Sequence, residues 1–436
     1  MSPLHPLRIV RCSLTALLGC ALALPFDGAL AAPAPGAPLS LSEALQIASQ
    51  RSAAVAATRA QAQAERQLAV AAGQRPDPVL KFGVNNLPIN GPDRYSLTSD
   101  FMTMRSVAVM QEFTRSDKLR ARSERAEREA QAADAEGQVM LAEVQRATAA
   151  AWLDRYYQTQ LRDLLQRARA EAELQVQAAE AAYRGARGPQ ADVFAARGAV
   201  AQIDDRIAEA ERQIAVAQTR LTRWVGERAA DPPGAPPPLD TPPAPNTAMN
   251  GTMRDHPQIE LLRRQEQTAE ADADMARADR HSDVSVELMY SQRGPAYSNM
   301  VSLNFSMPLQ WDQRDRQDRE LAARLARVDR ARAQREDAER MLTAEVSAMQ
   351  QEWQSNHARL ARYDATLIPL AEQRTAAART AYAGGTASLG SVLDARRSEI
   401  DLRIERLRLA MDTARLWAQL HYQMPATATQ TERKQP

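Results

Sequence analysis

The stretch TRSDKLRARSERAEREAQAADAEGQVMLAEVQRATAAAWLDRYYQTQLRDLLQRARAEAELQVQAAEAAY, residues Thr114–Tyr183, decides how this chain folds. It contains no proline and one glycine, Gly137, and it is rich in alanine and charged residues. Such a composition favours the α-helix, and one helix of this length extends about 100 Å. That is several times the length of an average globular helix, so we expect the segment to span a distance, because a compact core does not need it.

A second run, Arg314–Tyr382, has about the same length and a similar composition. Pro369 is expected to kink its helix near Ile368. Aligning Tyr183 with Tyr382 sets AAYRGARGPQADVFAAR against TAYAGGTASLGSVLDAR, with a glycine-containing reversal in each segment. A helix is expected to return after each reversal. A repeat of about 200 residues indicates a duplicated module, since solenoid units are much shorter.

The predicted organisation follows this duplication. Each half is expected to open with one helix, Leu39–Ala72 or Arg254–Arg280, followed by a β-hairpin and a long helical hairpin. Eight prolines in Asp231–Pro245 predict an extended connection between the halves. The predicted parts are a signal peptide at 1–31, a first structural repeat at 32–226, a Pro-rich linker at 227–253, a second repeat at 254–424 and a disordered tail at 425–436.

Two strand-like segments precede each long run. They are Val79–Leu87, Asp100–Phe113, Asp283–Tyr290 and Asn299–Leu309. In the last two, apolar residues such as Val284 and Leu303 alternate with polar residues such as Ser285 and Asn304. One apolar face and one polar face suit the wall of a water-filled barrel in lipid. A half-buried soluble sheet has the same pattern, so the strands alone leave both interpretations open.

The number of strands makes closure by one chain implausible. Four strands form an open sheet, and open edges are not tolerated in the hydrocarbon of a membrane. Several chains would therefore have to close one barrel between them. The long helices, with narrow apolar stripes and many charges, fit either a hollow ring of hairpins or a solid coiled-coil rod.

The N-terminus resembles an export signal. Arg8 and Arg11 precede the apolar segment Ser13–Pro25, and Ala29-Leu30-Ala31 offers a cleavage site. An alternative is a lipobox in which Cys20 is lipidated. The apolar segment is too short to span a membrane, and the exported chain has no apolar helix long enough for an inner membrane. A bacterial outer membrane is therefore the expected location.

Charge and cysteine content exclude several function classes. The chain carries 55 basic and 54 acidic side chains, so it has no net field with which to recruit nucleic acid. Both cysteines, Cys12 and Cys20, lie in the signal segment, so cleavage near Ala31 leaves no thiol for disulfides, zinc or catalysis. No histidine has a ligand-spaced partner, and the strand methionines Met102, Met104 and Met110 are expected to face lipid or to pack. No catalytic or nucleotide-binding motif is present.

Two segments together resemble a known family. They are AAGQRPDPVLKFGVNNLP at Ala71–Pro88 and DFMTMRSVAVMQEF at Asp100–Phe113. They are similar to the TolC-type outer-membrane efflux proteins, and most of all to the outer-membrane components of cobalt–zinc–cadmium heavy-metal efflux systems. The resemblance covers essentially the whole chain after the signal segment.

The resemblance implies a mainly helical fold with a β-barrel part. Three chains would contribute four strands each to a 12-stranded outer-membrane barrel, and their helical hairpins would form a periplasmic tunnel. The implied partners are a periplasmic adaptor, an inner-membrane pump of the resistance-nodulation-division type and outer-membrane lipid. The implied function is a passive duct for substrates such as heavy-metal cations, with no enzymatic activity, cofactor or bound nucleic acid.

The resemblance also implies a gate near the periplasmic end of the tunnel. The family's second tip segment matches Ser391-Val392-Leu393-Asp394, in which Asp394 is retained and Ser391 replaces the family's other acid. Asp192 is the matching carboxylate of the first tip. If both acids face the lumen, three chains would present six carboxylates that favour cations. Asp192 would also stabilise a helix N-terminus without any gating role. The remaining tip candidates are Tyr183, Tyr382, Gly188 and Gly385.

Two other functions remain open from the sequence. A duct of the same build could serve type I protein secretion, with a different inner-membrane partner. A periplasmic coiled-coil adaptor or scaffold without a pore is the third interpretation. An adaptor usually has compact β-rich domains around one helical hairpin, whereas here strands and hairpins occur twice in the same order.

Overall fold

The computed structural model describes residues 36–239 and 255–423. The predicted signal peptide and the predicted tail therefore lie outside the described residues, as does about half of the predicted linker, residues 240–253. Where the linker is described, Gly226–Ala230 form a 3-10 turn. An extended segment follows, in which the amide of Leu39 donates to the carbonyl of Pro232 at 2.8 Å and the amide of Gly234 donates to Leu39 at 2.9 Å.

Two helices replace the single helix predicted over Leu39–Ala72. Helix α1 covers Leu41–Arg51, and helix α2 covers Ala53–Ala72. Ser52 interrupts them with an extended backbone, and its hydroxyl accepts a hydrogen bond from the amide of Val55 at 3.3 Å. The prediction of one helix was wrong at this point because serine competes for backbone hydrogen bonds and is a preferred N-cap.

Helix α3 covers Ser116–Arg184 and contains 69 residues, which corresponds to about 100 Å. It confirms the long helix predicted over Thr114–Tyr183. Helix α4, Gln190–Val225, returns along α3 after a short reversal. Helix α3 also contacts α1, α2 and helices of the second half of the chain, so it is the element against which most of the others pack.

Within residues 255–423, the second half of the chain contributes four helices. They are α5 at Pro257–Ala278, α6 at Gln317–Arg362, α7 at Ile368–Ala383 and α8 at Leu389–His421. The interruption predicted at Pro369 lies just before that residue, where Tyr363–Leu367 form one turn of π-helix. Proline has no N–H to donate to the carbonyl four residues earlier, at Ala365, and the wider π-turn accommodates this loss. Helices α1–α8 are called the stem below.

The four strands form one antiparallel sheet in the order β1-β2-β3-β4. The strands are β1 at Val79–Asn85, β2 at Met104–Phe113, β3 at Val284–Gln292 and β4 at Met300–Ser306. The end of the sheet where β1 and β3 begin and β2 and β4 end is joined to the stem helices. We call it the stem end, and the opposite end, which carries the two hairpin loops, the loop end.

Strands β2 and β4 are shorter than predicted for local reasons. The Asp100 carboxylate accepts hydrogen bonds from the amides of Met102 and Thr103 at 2.8 and 3.1 Å, which holds residues 100–103 in a turn. Strand β4 ends at Ser306 and not at the predicted Leu309, because Pro308 has no N–H to donate to a ladder.

The largest apolar cluster lies inside the stem, where α1, α3, α4, α6 and α8 meet. Trp152 is fully buried at its centre, and the indole N–H donates to the carbonyl of Leu39 at 2.9 Å. Leu153, Leu221 and Trp417 pack in the same cluster. Among the described residues, the helices that are long enough to cross a bilayer are too polar to do so.

Candidate functional site

The reversal between α3 and α4 is closed by three backbone hydrogen bonds. The donor and acceptor residues are Gly185 and Ala181 at 3.0 Å, Ala186 and Tyr183 at 3.0 Å, and Arg187 and Ala182 at 2.8 Å. These bonds satisfy carbonyl groups that the last turn of α3 would otherwise leave unpaired. We call residues 183–189 the first turn.

The reversal between α7 and α8 has the same three bonds, each at a constant offset of 199 residues. The donor and acceptor residues are Gly384 and Thr380 at 3.0 Å, Gly385 and Tyr382 at 3.0 Å, and Thr386 and Ala381 at 2.9 Å. We call residues 382–388 the second turn. The offset is the one obtained when Tyr183 is aligned with Tyr382 in the sequence.

One residue in each turn has a positive φ, and its identity differs between them. Ala186 has φ of 50°, whereas Gly385, at the matching position, has φ of 70°. This region is unfavourable for a residue with a Cβ atom and costs nothing for glycine. The first turn also lacks the hydroxyl cap of the second, where Ser388 accepts a hydrogen bond from the amide of Ser391 at 3.3 Å.

An apolar cluster joins the helices directly behind the two turns. Its buried members are Ala179, Val193, Ala196, Leu389 and Val392. The structure thus brings both predicted tip segments together around one small core. Tyr382 packs against this cluster, whereas Tyr183 is about half exposed. A Cβ atom at Gly188 would lie 3.3 Å from the Cβ of Ala182, so this predicted tip residue permits close approach within the first turn.

The two predicted gate carboxylates lie near the N-termini of the return helices. Asp192 is the third residue of α4, and its amide donates to the carbonyl of Pro189 at 3.2 Å. Asp394 is the sixth residue of α8 and is exposed. Within residues 36–239 and 255–423, neither carboxylate pairs with a cationic side chain. Both are therefore available to a solvent cation.

A group of charges around the buried Glu399, near the turns, was missed by the sequence reasoning. Glu399 is 2% exposed, and it accepts a hydrogen bond from Arg396 at 2.8 Å and forms an ion pair with Arg403 at 2.9 Å. Arg396 also pairs with Glu171 of α3, and Arg403 pairs with Glu372 of α7 at 2.6 Å. The network ties α8 to both neighbouring helices. In the sequence, Arg396, Glu399 and Arg403 are spaced by three and four residues along α8. Charged residues on an ordinary solvated helix face have the same spacing, so the pattern did not indicate burial.

A groove of about 830 Å³ lies beside this network. Tyr382, Leu389 and Val392 form its apolar part, and the charged network with Arg379 forms its polar part. Charged and apolar side chains therefore lie side by side in this groove, close to the turns.

The sheet has two chemically distinct faces, as the alternation in the sequence predicts. Residues of one face pair across the strands, for example Phe82 with Val107 and Leu288 with Leu303. We call this the apolar face. Its members are Leu80, Phe82, Val84, Arg105, Val107, Val109, Gln111, Phe113, Val284, Val286, Leu288, Tyr290, Gln292, Val301, Leu303 and Phe305.

The apolar face is solvent-exposed, with Phe82 at 73% and Phe305 at 68%. Its one charged side chain within the four strands, Arg105, lies near the loop end. Burial of this surface in water-free surroundings would be strongly favourable, whereas its exposure to water on a monomer is unusual.

The opposite face, called the polar face, carries Lys81 and Glu287, whose side chains pair at 2.5 Å across β2. Its other polar members are Asn85, Ser106, Glu112, Ser285, Ser291, Ser302, Asn304 and Ser306. Met104 and Met110 also belong to this face, so they do not lie on the apolar face. In the described part of the chain, no group of three or more His, Cys, Asp or Glu side chains is arranged to hold a metal ion.

Comparison with known proteins adds a family match for part of the chain. Residues 252–422 match the sequence profile described as outer membrane efflux protein. No curated protein sequence matches the chain significantly.

Several solved structures share the fold of the chain. The outer membrane protein VceC from Vibrio cholerae has a TM-score of 0.73 and 20% identity, covering 88% of this chain and 95% of its own. CusC, described as forming a transmembrane channel, has a TM-score of 0.75 and 15% identity, covering 88% and 91%. The open MtrE outer membrane channel of Neisseria gonorrhoeae has a TM-score of 0.72 and 16% identity, covering 88% and 89%. The chain therefore carries the outer membrane efflux protein signature over residues 252–422 and has the fold of outer-membrane channel proteins.

Proposed function

We propose that this protein is the passive outer-membrane duct of a tripartite efflux system. The observation that carries the proposal is the exposed apolar face of a sheet whose other face is polar, attached directly to a stem of very long helices. Lipid would cover the apolar face, and water would fill the space lined by the polar face. The family match over residues 252–422 and the fold shared with outer-membrane channels support the same function.

We propose a homotrimer because the sheet is open. Strands β1 and β4 are its edges, and each presents unpaired backbone groups that lipid cannot satisfy. Pairing β1 of one chain with β4 of the next would remove every edge. Three chains of four strands each would close a 12-stranded barrel, which is within the size range of outer-membrane barrels.

The stem is proposed to extend into the periplasm and to meet an adaptor and an inner-membrane pump of the resistance-nodulation-division type. A helix of about 100 Å supports this arrangement because it carries the turns far from the membrane. We further propose that the two halves, residues 32–226 and 254–424, are copies of one module. The matching hydrogen bonds of the two turns support the duplication.

The turns are the proposed site of the gate. Asp192 and Asp394 flank the cluster of Val193 and Val392, and three chains would bring six carboxylates to one constriction. Such a ring would attract cations through its negative potential. The double variant Asp192→Ala with Asp394→Ala should lower cation selectivity in planar bilayers. An unchanged selectivity would remove the gate role while leaving the duct intact.

Heavy-metal cations are the proposed substrates, on the strength of the sequence similarity at residues 71–88 and 100–113 and of these unpaired carboxylates. The test is metal-tolerance profiling of a deletion strain, with protein secretion measured in parallel. Sensitivity to zinc, cobalt or cadmium that the cloned gene restores, with normal secretion, is expected. Lost secretion with normal tolerance would instead indicate a type I secretion duct. If both are normal and the protein lies outside the outer membrane, the scaffold interpretation is favoured.

A further inference from the structure

A column of large apolar side chains continues past the end of β4. Val301, Leu303 and Phe305 belong to the apolar face, and Met307, Leu309 and Trp311 follow with the same spacing of two residues. Each of the six is more than half exposed, and Trp311 reaches 88%. The alternation thus persists for five residues beyond Ser306, the last residue with ladder hydrogen bonds.

Side-chain hydrogen bonds hold the continuation against the neighbouring connection between α5 and β3. The hydroxyl of Ser282 donates to the carbonyl of Pro308 at 2.6 Å, and the Gln310 amide donates to Asp279 at 3.1 Å. Gln313 donates to the carbonyl of Arg280 at 3.3 Å. Residues 308–313 are therefore anchored by polar groups on the inner side, which leaves Leu309 and Trp311 directed outward.

The sequence changes abruptly after Trp311. Residues 300–311 contain no charged side chain, whereas seven of the nine residues 312–320 are charged. The first helix of this charged stretch, α6, is joined to the connection between α5 and β3 through an ion pair between Asp318 and Arg280 at 3.1 Å. A boundary this sharp is expected where a chain passes from hydrocarbon into water.

The length of the column fits the thickness of a membrane better than β4 does. The six steps along β4 extend about 20 Å, or about 15 Å along the normal at a tilt near 40°, which is short of the roughly 25 Å apolar band of outer-membrane barrels. The ten steps from Val301 to Trp311 extend about 33 Å if extended, and about 25 Å after the same tilt.

Another aromatic residue lies at the same end of the sheet. Phe113 closes β2 at the stem end on the apolar face, and the guanidinium carbon of Arg75 lies 5.9 Å from its ring centroid. Aromatic rings beside cationic groups are typical of the interface between hydrocarbon and lipid headgroups. At the stem end, aromatic side chains suited to a lipid interface are therefore found both on the inner strand β2 and beyond the edge strand β4.

We infer that Trp311 is an interfacial anchor that inserts among the lipid headgroups of the periplasmic leaflet and marks where the membrane ends on this chain. The inference rests on the proposed outer-membrane function. Tryptophan suits this position because its ring is apolar and its N–H needs a polar partner. The lipid-contacting surface then extends through Met307 and Leu309, beyond the hydrogen-bonded strand.

Depth-dependent fluorescence quenching tests the inference in the assembled protein. The full mature chain is reconstituted into bilayers whose lipids carry bromine either near the headgroup or near the bilayer centre. The signal of Trp311 is the difference between the wild type and Trp311→Phe, so Trp152, Trp224, Trp353 and Trp417 of the stem cancel. The matched control is Phe305→Trp in the Trp311→Phe background, which places the same reporter near the middle of the column.

The Trp311 signal should fall at least twofold with bromine near the headgroup and much less with bromine at the centre. The Phe305→Trp reporter should show the reverse order. If bromine at neither depth quenches Trp311 while it quenches the reporter at position 305, the inference fails, since Trp311 then lies in water or against another chain. If neither reporter is quenched, the outer-membrane proposal itself fails.

Discussion

The sheet and the stem place apolar side chains in opposite ways. In the stem, Trp152 and its neighbours are buried between helices, and charged residues cover the surface. In the sheet, Phe82, Leu303 and Phe305 are exposed, whereas Ser106 and Ser291 of the polar face are buried. The same chain therefore presents two kinds of surface, each suited to a different solvent. Each part is well formed only if water surrounds the stem and hydrocarbon surrounds the apolar face.

The largest expected effect compares two tryptophans. Trp152→Ala should reduce the free energy of unfolding by about 3–5 kcal/mol, because it leaves a cavity and removes one of the two hydrogen bonds that the Leu39 carbonyl accepts. Trp311→Ala should leave the unfolding of the stem unchanged, since Trp311 is 88% exposed. Denaturation followed by circular dichroism at 222 nm measures both. Equal losses for the two variants would contradict the contrast between stem and sheet.

An arginine introduced on the apolar or on the polar face of β4 tests the contrast within the sheet. Phe305→Arg should destabilise the membrane-inserted protein by about 2–4 kcal/mol, the cost of a cation near the bilayer midplane. Asn304→Arg is the matched control on the polar face, where Glu287 lies directly opposite. The temperature at which the assembled protein dissociates in detergent should fall for the first variant and change little for the second. The reverse order would mean that the faces are assigned wrongly.

A pH effect is expected in the stem. Burial, with a further contribution from Arg146, lowers the pKa of His256 to about 4. Its neutral ring caps α5 by accepting a hydrogen bond from the amide of Gln258 at 3.2 Å. Because the unfolded chain binds this proton near pH 6.5 and the folded chain does not, stability should fall as the pH drops from 6.5 to 4. The limit is about 1.4 kcal/mol per pH unit for one proton.

His256→Asn should remove this part of the pH dependence while keeping a good helix cap. The exposed His281→Asn variant is the control and should retain the wild-type slope. Unfolding midpoints measured between pH 4 and 7 give the comparison. A wild-type slope in the His256→Asn variant would show that another group is responsible.

The smallest effect distinguishes the two turns. Gly385→Ala should cost about 1 kcal/mol because φ is 70°, whereas Ala186→Gly should stabilise by a similar amount because φ there is 50°. No atom lies within 4 Å of a Cβ added at Gly385, so the cost comes from the backbone alone. Opposite shifts of the thermal midpoint are expected. Shifts of the same sign would mean that the two turns differ in conformation.

The sequence allowed the order of elements and the faces of the strands to be predicted, because both depend on local periodicity. It predicted an interruption at Pro369, though not that the interruption is a π-turn, and it did not reveal the interruption at Ser52, where a side chain competes for backbone hydrogen bonds. The positive φ of Ala186 could not be predicted either, because the glycines at 185 and 188 were better candidates for that conformation.

The candidate site was only partly predictable for a different reason. Asp192 and Asp394 were found through similarity to a family pattern, and the structure places both beside one apolar cluster. The burial of Glu399 depends on which side of α8 faces α3 and α7. That choice is made by packing between distant segments, and a charged residue at helical spacing is usually solvated.

The most direct test of the account is the mass of the mature protein extracted from outer membranes, measured by native mass spectrometry. An open sheet with an exposed apolar face predicts a particle of three chains that requires detergent to stay in solution. A single chain that remains soluble without detergent would contradict the account, because its apolar face would then have no lipid to cover it and its sheet edges no sister chain to pair with.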